Sequence, residues 1–445
     1  MRSSLIYGLL FAILSPIFTF GQVFSLPEGD RSLKVKFELI NNLIVLPIEV
    51  NGTPLSFILD TGVNKPIIFS LTDQDSVSLN NVRAITIRGL GEGEAIEALS
   101  SVGNEFRIRE DMVNPNQQVY VVLDRDLNFS TTLGVNVHGI IGYDLFRDFV
   151  VEINYSAQHI KFHDPRYYQQ KKSKKCETLP LTIIDNKAYL DGAVVLANDK
   201  EVPVNLLVDT GSSDAVWLFQ DIEKGLGVPD SHYDDFLGKG LNGDIFGKRT
   251  KVEKVRIGNF VLEDAKAAFP EMNSFSLIKN LGNRNGSLGG EILRRFNVVF
   301  NYHAGQVTLK KNNLFREPFR YNLSGIEVQH NGMRYVAESL ADASGVAYQE
   351  DDSFGNVQLL LENRTRLSLV PEIIVSTIRA GSPAAEAGLQ EGDVILAVNG
   401  KPVHRYKIQE VIQMLNEREG KQVRVLIERY NKDLLFSFVL KKLFE

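Results

Sequence analysis

Two distant stretches of this chain carry the same acidic tripeptide between apolar residues. The first reads FILDTGVNKPIIF and begins at Phe57, and the second reads NLLVDTGSSDAVW and begins at Asn205. An aspartate between strand-like apolar runs is costly to bury unless it is hydrogen-bonded or its pKa shifts. A chain that repeats this feature is expected to use both carboxylates together.

Other landmarks recur in register with the tripeptide, which predicts an internal duplication from about Leu33 to Leu309. Two glycines follow the aspartate at identical spacings in both copies: Gly89 and Gly91 in the first, Gly238 and Gly240 in the second. Farther on, IIGYDLF in the first copy carries Gly142, and SLGGEIL in the second carries Gly289 at nearly the same spacing.

The local patterns within each copy are typical of strands, so the sequence predicts a mainly β fold. Runs such as LIVLPIEV, KVRIGNFVL and QVYVVL alternate or are β-branched, and LGGEILRRF is the clearest short helix. We expect two lobes, 33–163 and 179–311. The polar segment 164–178, which carries Lys171, Lys172, Lys174 and Lys175, is predicted to be a solvated linker.

The last part of the chain has a different pattern and predicts a separate α+β domain over 318–442, with its core at 371–442. A β-branched strand precedes a small-residue helix around Pro383–Ala387, and a turn falls at Asn399–Gly400. Ile408, Val411 and Leu415 give the following helix one apolar face, and VRVLIERY and LLFSFVL are closing strands.

The N-terminal segment 1–21 has the layout of a secretory signal peptide. Arg2 precedes an apolar stretch from Leu5 to Phe20, and cleavage is expected near Gly21. An uncleaved anchor helix is the alternative, and Pro16 and the short apolar length argue against it. We therefore expect an exported protein, periplasmic or extracellular, without a membrane span after processing.

Composition excludes some classes of protein. Cys176 is the only cysteine, so an intrachain disulfide and a cysteine-based zinc cluster are excluded. The net charge is −6 and the basic residues are scattered, which gives no support for a nucleic-acid partner.

Two adjacent carboxylates suit acid–base hydrolysis. Like charges a few ångströms apart force the pair to share one proton. The ionised partner can then deprotonate a water while the protonated one donates to a carbonyl oxygen. Asp60 and Asp209 are the predicted catalytic pair. Their supporting residues are the glycines that let backbone approach (Gly62 and Gly211), the threonines that can bond across the seam (Thr61 and Thr210), and Ser212.

The duplicated part resembles the aspartic proteases of the pepsin and retropepsin kind. The resemblance rests on both Asp-Thr-Gly motifs and on the downstream segments Ile140–Gly142 and Ser287–Gly289. It implies a bilobal β fold, attack by water on a peptide bond, and neither a covalent intermediate nor a metal or other cofactor. It also implies glycine-tipped flaps, here Gly89–Gly93 and Gly238–Gly243. The chain looks like two retropepsin subunits fused into one.

The sequence departs from that family at three places: Val63 stands where pepsins have Ser or Thr, the first flap tip lacks a Tyr, and Ser287 replaces an apolar residue. Because Ser212 can donate a hydrogen bond to Asp209 and Val63 cannot do so for Asp60, Asp60 is expected to hold the shared proton.

Two other protease classes fit poorly. Subtilisin-like enzymes also carry Asp-Thr-Gly, and His138–Gly139 resembles their histidine motif, but no serine stands in a Gly-Thr-Ser context. The histidines lack the HExxH spacing of a metalloprotease. His138 is interpreted as a structural or surface residue, and Trp217 as a core residue.

The C-terminal part resembles a PDZ domain of the bacterial protease-associated type. The resemblance rests on GSPAA (381–385), AGL (387–389), GDVI (392–395) and VNG (398–400). Such domains accept an extended peptide as an added strand and often capture its terminal carboxylate on backbone N–H groups. The predicted binding loop is Leu323, Ser324, Gly325 and Ile326, followed by an insertion from about 330 to 369. The alternative is a blocked groove on a domain that only packs against the protease.

Taken together, these features predict an exported aspartic endopeptidase that acts on peptides or unfolded proteins, with a PDZ domain for docking or regulation. The alternative from another class is a non-catalytic peptide-binding scaffold that retains the protease fold.

Overall fold

The computed structural model describes residues 23–71, 75–91, 93–124, 127–170, 173–196, 200–275, 281–340, 346–349, 358–361 and 364–444. The predicted signal peptide, two of the four linker lysines (Lys171 and Lys172) and part of the predicted PDZ insertion lie outside these ranges.

The first copy is built almost entirely of strands. They are β1 (Ser32–Lys36), β2 (Glu38–Ile40), β3 (Leu43–Val50), β4 (Thr53–Leu59), β5 (Ile67–Ile68), β6 (Arg83–Ile87), β7 (Ile96–Ile108), β8 (Met112–Val122), β9 (Gly139–Ile141), β10 (Val150–Asn154) and β11 (His159–His163). Two short helices accompany them, α1 (Ser130–Leu133) and α2 (Tyr143–Asp148).

The second copy repeats this arrangement. Its strands are β12 (Cys176–Pro180), β13 (Thr182–Ile184), β14 (Lys187–Val195), β15 (Glu201–Val208), β16 (Val216–Leu218), β17 (His232–Gly240), β18 (Gly243–Ile257), β19 (Phe260–Pro270), β20 (Gly286–Leu288), β21 (Phe296–Asn301) and β22 (Gln306–Lys311). It also has a 3₁₀ turn (Met272–Phe275) and α3 (Gly290–Leu293).

The two copies have the same sheet topology. One eight-stranded sheet runs β2-β3-β4-β9-β5-β8-β7-β6, and the other runs β13-β14-β15-β20-β16-β19-β18-β17. In each, the strand that leads into Asp-Thr-Gly pairs in parallel with the later glycine segment, β4 with β9 and β15 with β20. The predicted duplication and mainly β fold class are confirmed.

A third sheet joins the two lobes. Its order is β1-β11-β10-β21-β22-β12, and β10 of the first lobe pairs antiparallel with β21 of the second. One apolar core continues through both lobes. Within it, the ring of Phe146 in the first lobe packs edge-on against that of Phe300 in the second, with 5.3 Å between the ring centroids. The protease part is therefore one packed unit. The segment predicted as a linker ends within β12, since that strand begins at Cys176.

The C-terminal part has its own core and a mixed architecture. Its strands are β23 (Ile326–Leu340), β24 (Val346–Gln349), β25 (Gln358–Leu361), β26 (Arg364–Ile378), β27 (Val394–Val398), β28 (Lys401–Pro402), β29 (Gln422–Arg429) and β30 (Lys432–Val439). Its helices are α4 (Pro383–Ala387), a 3₁₀ turn (Val403–Arg405) and α5 (Ile408–Leu415). The helix predicted around Pro383–Ala387 matches α4, where Ser382 caps the first turn by accepting from the Ala385 N–H at 3.2 Å.

The segment after β22 packs on the second lobe. The Phe315 ring lies 5.3 Å from that of Phe296, and the Arg295 guanidinium lies 3.8 Å from the Phe319 ring centroid. The second lobe's packing therefore extends beyond the predicted end at residue 311.

The C-terminal domain contacts both lobes. Gln409 Nε2 of α5 donates to the Leu133 carbonyl of lobe 1 at 2.6 Å. In lobe 2, Tyr233 at the start of β17 stacks on Phe444 at 5.8 Å and lies 4.4 Å below the Arg379 guanidinium. Within the described ranges, none of the helices has the length and apolar character needed to cross a bilayer.

Candidate active site

Each Asp-Thr-Gly begins where a buried strand ends. β4 ends at Leu59 and β15 at Val208, and backbone bonds to the neighbouring strand fix the next residue. The Asp60 N–H donates to the Ile141 carbonyl at 2.8 Å, and the Asp209 N–H donates to the Leu288 carbonyl at 2.9 Å. The two aspartates therefore occupy equivalent positions in their lobes.

The two carboxylates meet at the seam between the lobes. The Gly62 N–H donates to Asp60 Oδ1 at 2.6 Å, and the Gly211 N–H donates to Asp209 Oδ1 at 3.1 Å. A Cβ on Gly211 would lie 2.5 Å from Asp60 Oδ2, and one on Gly62 would lie 3.9 Å from Asp209 Oδ1. Only glycine at 211 lets the opposite carboxylate approach so closely.

Thr61 and Thr210 connect the loops across the seam. Each threonine hydroxyl accepts a hydrogen bond from the other threonine's N–H at 3.1 Å. Each hydroxyl also donates across the seam, Thr61 Oγ1 to the Val208 carbonyl at 2.6 Å and Thr210 Oγ1 to the Leu59 carbonyl at 2.7 Å. Both side chains are fully buried, so these four bonds fix the spacing of the carboxylates.

Gly142 and Gly289, the downstream glycines, pack directly against the loops that begin at Asp60 and Asp209. A Cβ on Gly142 would lie 1.8 Å from the Asp60 carbonyl oxygen, and one on Gly289 would lie 2.2 Å from the Asp214 carbonyl oxygen. Any side chain at either position would displace the loop that begins with Asp-Thr-Gly, which explains why this glycine recurs in both copies.

The electrostatic environment makes the two carboxyls inequivalent. Burial, and after it the charge of Asp209, raises the pKa of Asp60 to about 7. Burial also raises the pKa of Asp209, but the positive charge of Arg284 and the N–H groups of Gly211 and Ser212 oppose that rise. The opposing influences at Asp209 favour the proton on Asp60 and the negative charge on Asp209.

Arg284 lies behind Asp209 and was not singled out by the sequence. Its side chain is buried, its Nε donates to the Gly286 carbonyl at 2.9 Å, and its Nη2 donates to Ser287 Oγ at 3.1 Å. Its guanidinium also lies 5.1 Å from the Phe219 ring centroid. Ser287, an unexplained departure in the sequence, therefore serves as an acceptor for this arginine.

The expected role of the Ser212 hydroxyl is not what the structure has. Among the hydrogen bonds of the described residues, none joins that hydroxyl to Asp209, and it is the Ser212 backbone N–H that acts on the carboxylate. The Ser212 hydroxyl instead faces Gly289, where an added Cβ would lie 3.1 Å from its oxygen. The asymmetry of the dyad thus comes chiefly from Arg284, which has the apolar Val137 as its counterpart in the first copy.

Asp214, which follows the second Asp-Thr-Gly loop, anchors lobe 2 through buried charges. Asp214 accepts from Arg249 Nη1 and from the indole N–H of Trp217, both at 2.7 Å. Although burial acts in the opposite direction, the charges of Arg249 and Lys266 hold the pKa of Asp214 well below its usual range. Trp217 is buried and also lines the cleft, so its indole belongs both to the core and to the cleft wall.

The predicted flap glycines lie on two hairpins that meet above the carboxylates. Gly89 and Gly91 lie in the loop between β6 and β7, and Gly240 closes β17 at the turn into β18. Gly238 lies at a bulge in β17 rather than at the tip.

Asn242 joins the two tips and was missed by the sequence analysis. Its side chain accepts from the Gly89 N–H and donates to the Glu94 carbonyl. Its backbone accepts from the Gly93 N–H at 2.6 Å and donates to the Leu90 carbonyl at 2.8 Å. Because a Cβ on Gly91 would lie 2.4 Å from the Asn242 carbonyl carbon, the tips interlock only with glycine there. An asparagine inside a Gly-rich hairpin turn is the only sequence signal that could have indicated it.

One cleft of about 1460 Å³ contains the dyad and continues to the C-terminal domain. Its walls include Asp60, Asp209 and both flaps, and farther along they include Ile326 of β23 and Ile412 of α5. The predicted PDZ binding loop lies at the start of β23. Ile326, the first residue of that strand, lines the cleft. Leu323, Ser324 and Gly325 come just before the strand.

The remaining candidates have structural surroundings. His138 is buried, its Nδ1 accepts from the Ser56 N–H at 2.9 Å, and its Nε2 lies 3.2 Å from Asp75. These contacts hold β9 beside β4 and do not involve the dyad. In the described part of the chain, no group of three or more His, Cys, Asp or Glu side chains is arranged to hold a metal ion.

Comparison with known families agrees with this geometry. The aspartyl protease family profile matches residues 46–145 and again 193–292, so each match contains one Asp-Thr-Gly and its downstream glycine. A PDZ domain profile matches residues 374–429. The chain carries two aspartyl protease segments and a C-terminal PDZ domain. The resemblance to a bilobal aspartic protease with a PDZ domain is thus confirmed.

A shorter similarity links the chain to a plant protein. It is 39% identical over 61 residues to the putative protease Do-like 14 of Arabidopsis thaliana, a match that covers 14% of this chain and 12% of that protein. The match is shorter than either aspartyl protease segment, and this chain spans only about an eighth of that relative.

Proposed function

We propose that this protein is an exported aspartic endopeptidase that hydrolyses peptide bonds in extended polypeptides. The observation that carries the proposal is the convergence of Asp60 and Asp209, one from each lobe, beneath two flaps that meet at Asn242. The aspartyl protease family match supports the same activity.

The asymmetry of the dyad defines a balanced sequence of proton transfers. Ionised Asp209 takes a proton from water as the water oxygen bonds to the peptide carbonyl carbon, and Asp60 gives its proton to the carbonyl oxygen. When the C–N bond of the resulting gem-diol breaks, the leaving nitrogen takes the proton from Asp209 and a diol hydroxyl returns one to Asp60. The dyad ends in its starting protonation state, without a covalent intermediate.

The flaps separate the dyad and a bound peptide from bulk solvent, while the proposed reaction still uses a water held between the two carboxyls. Since Asn242 holds both tips together over the dyad, an extended chain has to be threaded or the tips have to separate before each turnover. A cleft of this form suits an unfolded segment rather than a folded surface.

Export is part of the proposal and rests on the N-terminal layout of Arg2, the apolar stretch and Gly21. Expression of the full chain in a bacterium, followed by fractionation and N-terminal sequencing, tests it. A mature N-terminus near Gln22 outside the cytoplasm is expected, and an intact Met1 in the cytoplasm would contradict it.

Hydrolysis of β-casein, which has no stable fold, tests the activity. We expect fragments at weakly acidic pH, and we expect pepstatin to block their formation while chelators and serine-directed reagents have no effect. If the folded protein binds β-casein but never cleaves it between pH 3 and 8, the non-catalytic scaffold is the correct function.

A further inference from the structure

The PDZ groove opens into the catalytic cleft. β23 is the end strand of its sheet, so its second edge is not paired within that sheet. Beside this edge lies α5, whose Gln409, Ile412, Gln413 and Asn416 follow the i, i+3, i+4, i+7 spacing of one helix face. These side chains and residues 326–329 line the same cleft as the two catalytic aspartates.

The loop that would capture a terminal carboxylate has its N–H groups already in use. The Ser324 N–H donates to Asn416 Oδ1 and the Gly325 N–H donates to Asn322 Oδ1, both at 2.9 Å. The Ile326 N–H donates to Ser324 Oγ at 3.2 Å. Carboxylate capture on such a loop requires free N–H groups, and here the chain's own side-chain oxygens take them.

The other end of the groove is closed by lobe 1. Gln409 donates to the Leu133 carbonyl, and a Cβ on Gly134 would lie 2.5 Å from Ile408 Cγ2 and 3.4 Å from His330 Cε1. The start of α5 and the part of β23 at His330 are therefore covered, and the open part of the groove lies between residues 326–329 and 412–416. From this open part, the same cleft continues to the dyad.

We propose that the PDZ groove binds an internal, extended segment of the polypeptide being cleaved, rather than a free C-terminus. The segment would add to the open edge of β23 through backbone hydrogen bonds, as in strand addition. Its side chains would meet Ile412 and the uncharged amides of Gln413 and Asn416. This inference rests on the proposed function, since it assigns a second subsite for the same substrate.

A binding experiment on the full-length Asp60→Asn variant tests this subsite independently of cleavage. Overlapping fluorescent fifteen-residue peptides that tile β-casein are prepared with a free carboxylate and with a C-terminal amide, and Kd is measured by fluorescence anisotropy. We expect the Kd values of the acid and amide forms of each binding peptide to differ by less than about twofold, because the subsite binds the peptide backbone and not a terminal carboxylate.

A groove-filling substitution identifies where the peptides bind. Gln413→Trp places an indole in the open part of the groove and is expected to weaken binding at least tenfold. Arg418→Trp, which adds the same side chain at an exposed position just past α5, is the matched control and is expected to change Kd less than twofold.

Three results would overturn the inference. The first is binding at least tenfold tighter for the acid forms, which would show capture of a chain end. The second is equal binding by the Gln413→Trp and Arg418→Trp variants, and the third is no binding by any peptide. Because Asp60→Asn binds without turnover, failure here is distinguishable from failure of the proposed protease activity, which is measured on the unmodified chain.

Discussion

Thr61 and Thr210 exchange hydrogen bonds across the seam between the lobes, each hydroxyl accepting from the other's N–H at 3.1 Å. This reciprocal pair joins two copies of a motif into one candidate active site, because neither loop has its full set of hydrogen bonds without the other. The duplication thus has a direct structural consequence.

Removing one hydroxyl of this pair should destabilise the protein. Thr210→Ala leaves the Thr61 N–H and the Leu59 carbonyl without their buried partner, and a lost buried hydrogen bond costs about 1–3 kcal/mol. Thr210→Ser keeps the hydroxyl and is the control. Urea unfolding should show a lower unfolding free energy for Thr210→Ala, and equal stability of the two variants would contradict the role of these bonds.

The rate of hydrolysis should depend on pH with a bell shape. Asp60 must be protonated, and since its pKa is raised to about 7, activity should fall as the pH rises through about 7. Asp209 must be ionised, so activity should also fall as the pH drops through its own raised pKa. Both limbs belong to the coupled pair. A kcat/KM profile that stays flat from pH 4 to 8 would contradict a shared proton.

The position of the acidic limb should depend on Arg284 more than on the Ser212 hydroxyl. Arg284→Met removes the positive charge that favours ionised Asp209, so the acidic limb should move to higher pH. Arg284→Lys should restore part of the shift, and Ser212→Ala should leave the limb in place because the Ser212 backbone N–H remains. A limb that moves with Ser212→Ala and not with Arg284→Met would reverse the assignment.

The features that recur locally could be predicted from the sequence, and those that depend on distant side chains could not. Two apolar runs ending in Asp-Thr-Gly fix the strand-to-loop geometry at Asp60 and Asp209, so the dyad and the mainly β fold follow from local pattern. Asn242 meets Gly89 from the opposite lobe, and nothing in either hairpin specifies its partner.

Arg284 illustrates the same limit for electrostatics. Its side chain lies in a loop with ordinary polar neighbours, and only the folded sheet brings it behind Asp209 with Ser287 as its acceptor. Packing of the PDZ domain against the protease was named only as an alternative, and the residues that make these contacts were not predicted, because Gln409, Tyr233 and Phe444 lie in segments whose own patterns are complete without them.

Removing the PDZ domain should affect long substrates more than short ones. A chain ending at Arg320 keeps Phe315 and Phe319 on the second lobe, so it should fold and cleave short peptides with a similar kcat. On β-casein its KM should rise, since the docking subsite raises the effective concentration of a tethered chain. The measurement is kcat and KM on both substrates.

A chain ending at Lys311 is the informative comparison for that experiment. It lacks Phe315 and Phe319, whose rings pack against Phe296 and Arg295, so its melting temperature should fall below that of the longer form. If the chain ending at Arg320 is folded but inactive on short peptides, the PDZ domain is part of the catalytic structure and not a docking module.

The most direct test of the central claim is β-casein hydrolysis by the single variants Asp60→Asn and Asp209→Asn beside the unmodified protein. Each substitution keeps the size of the side chain but prevents the pair from supplying one acid and one base, so both variants should be folded by circular dichroism and at least about a thousandfold slower, within the loss typical of a removed acid–base group. If either folded variant keeps more than a tenth of the unmodified rate, the water is not activated between Asp60 and Asp209.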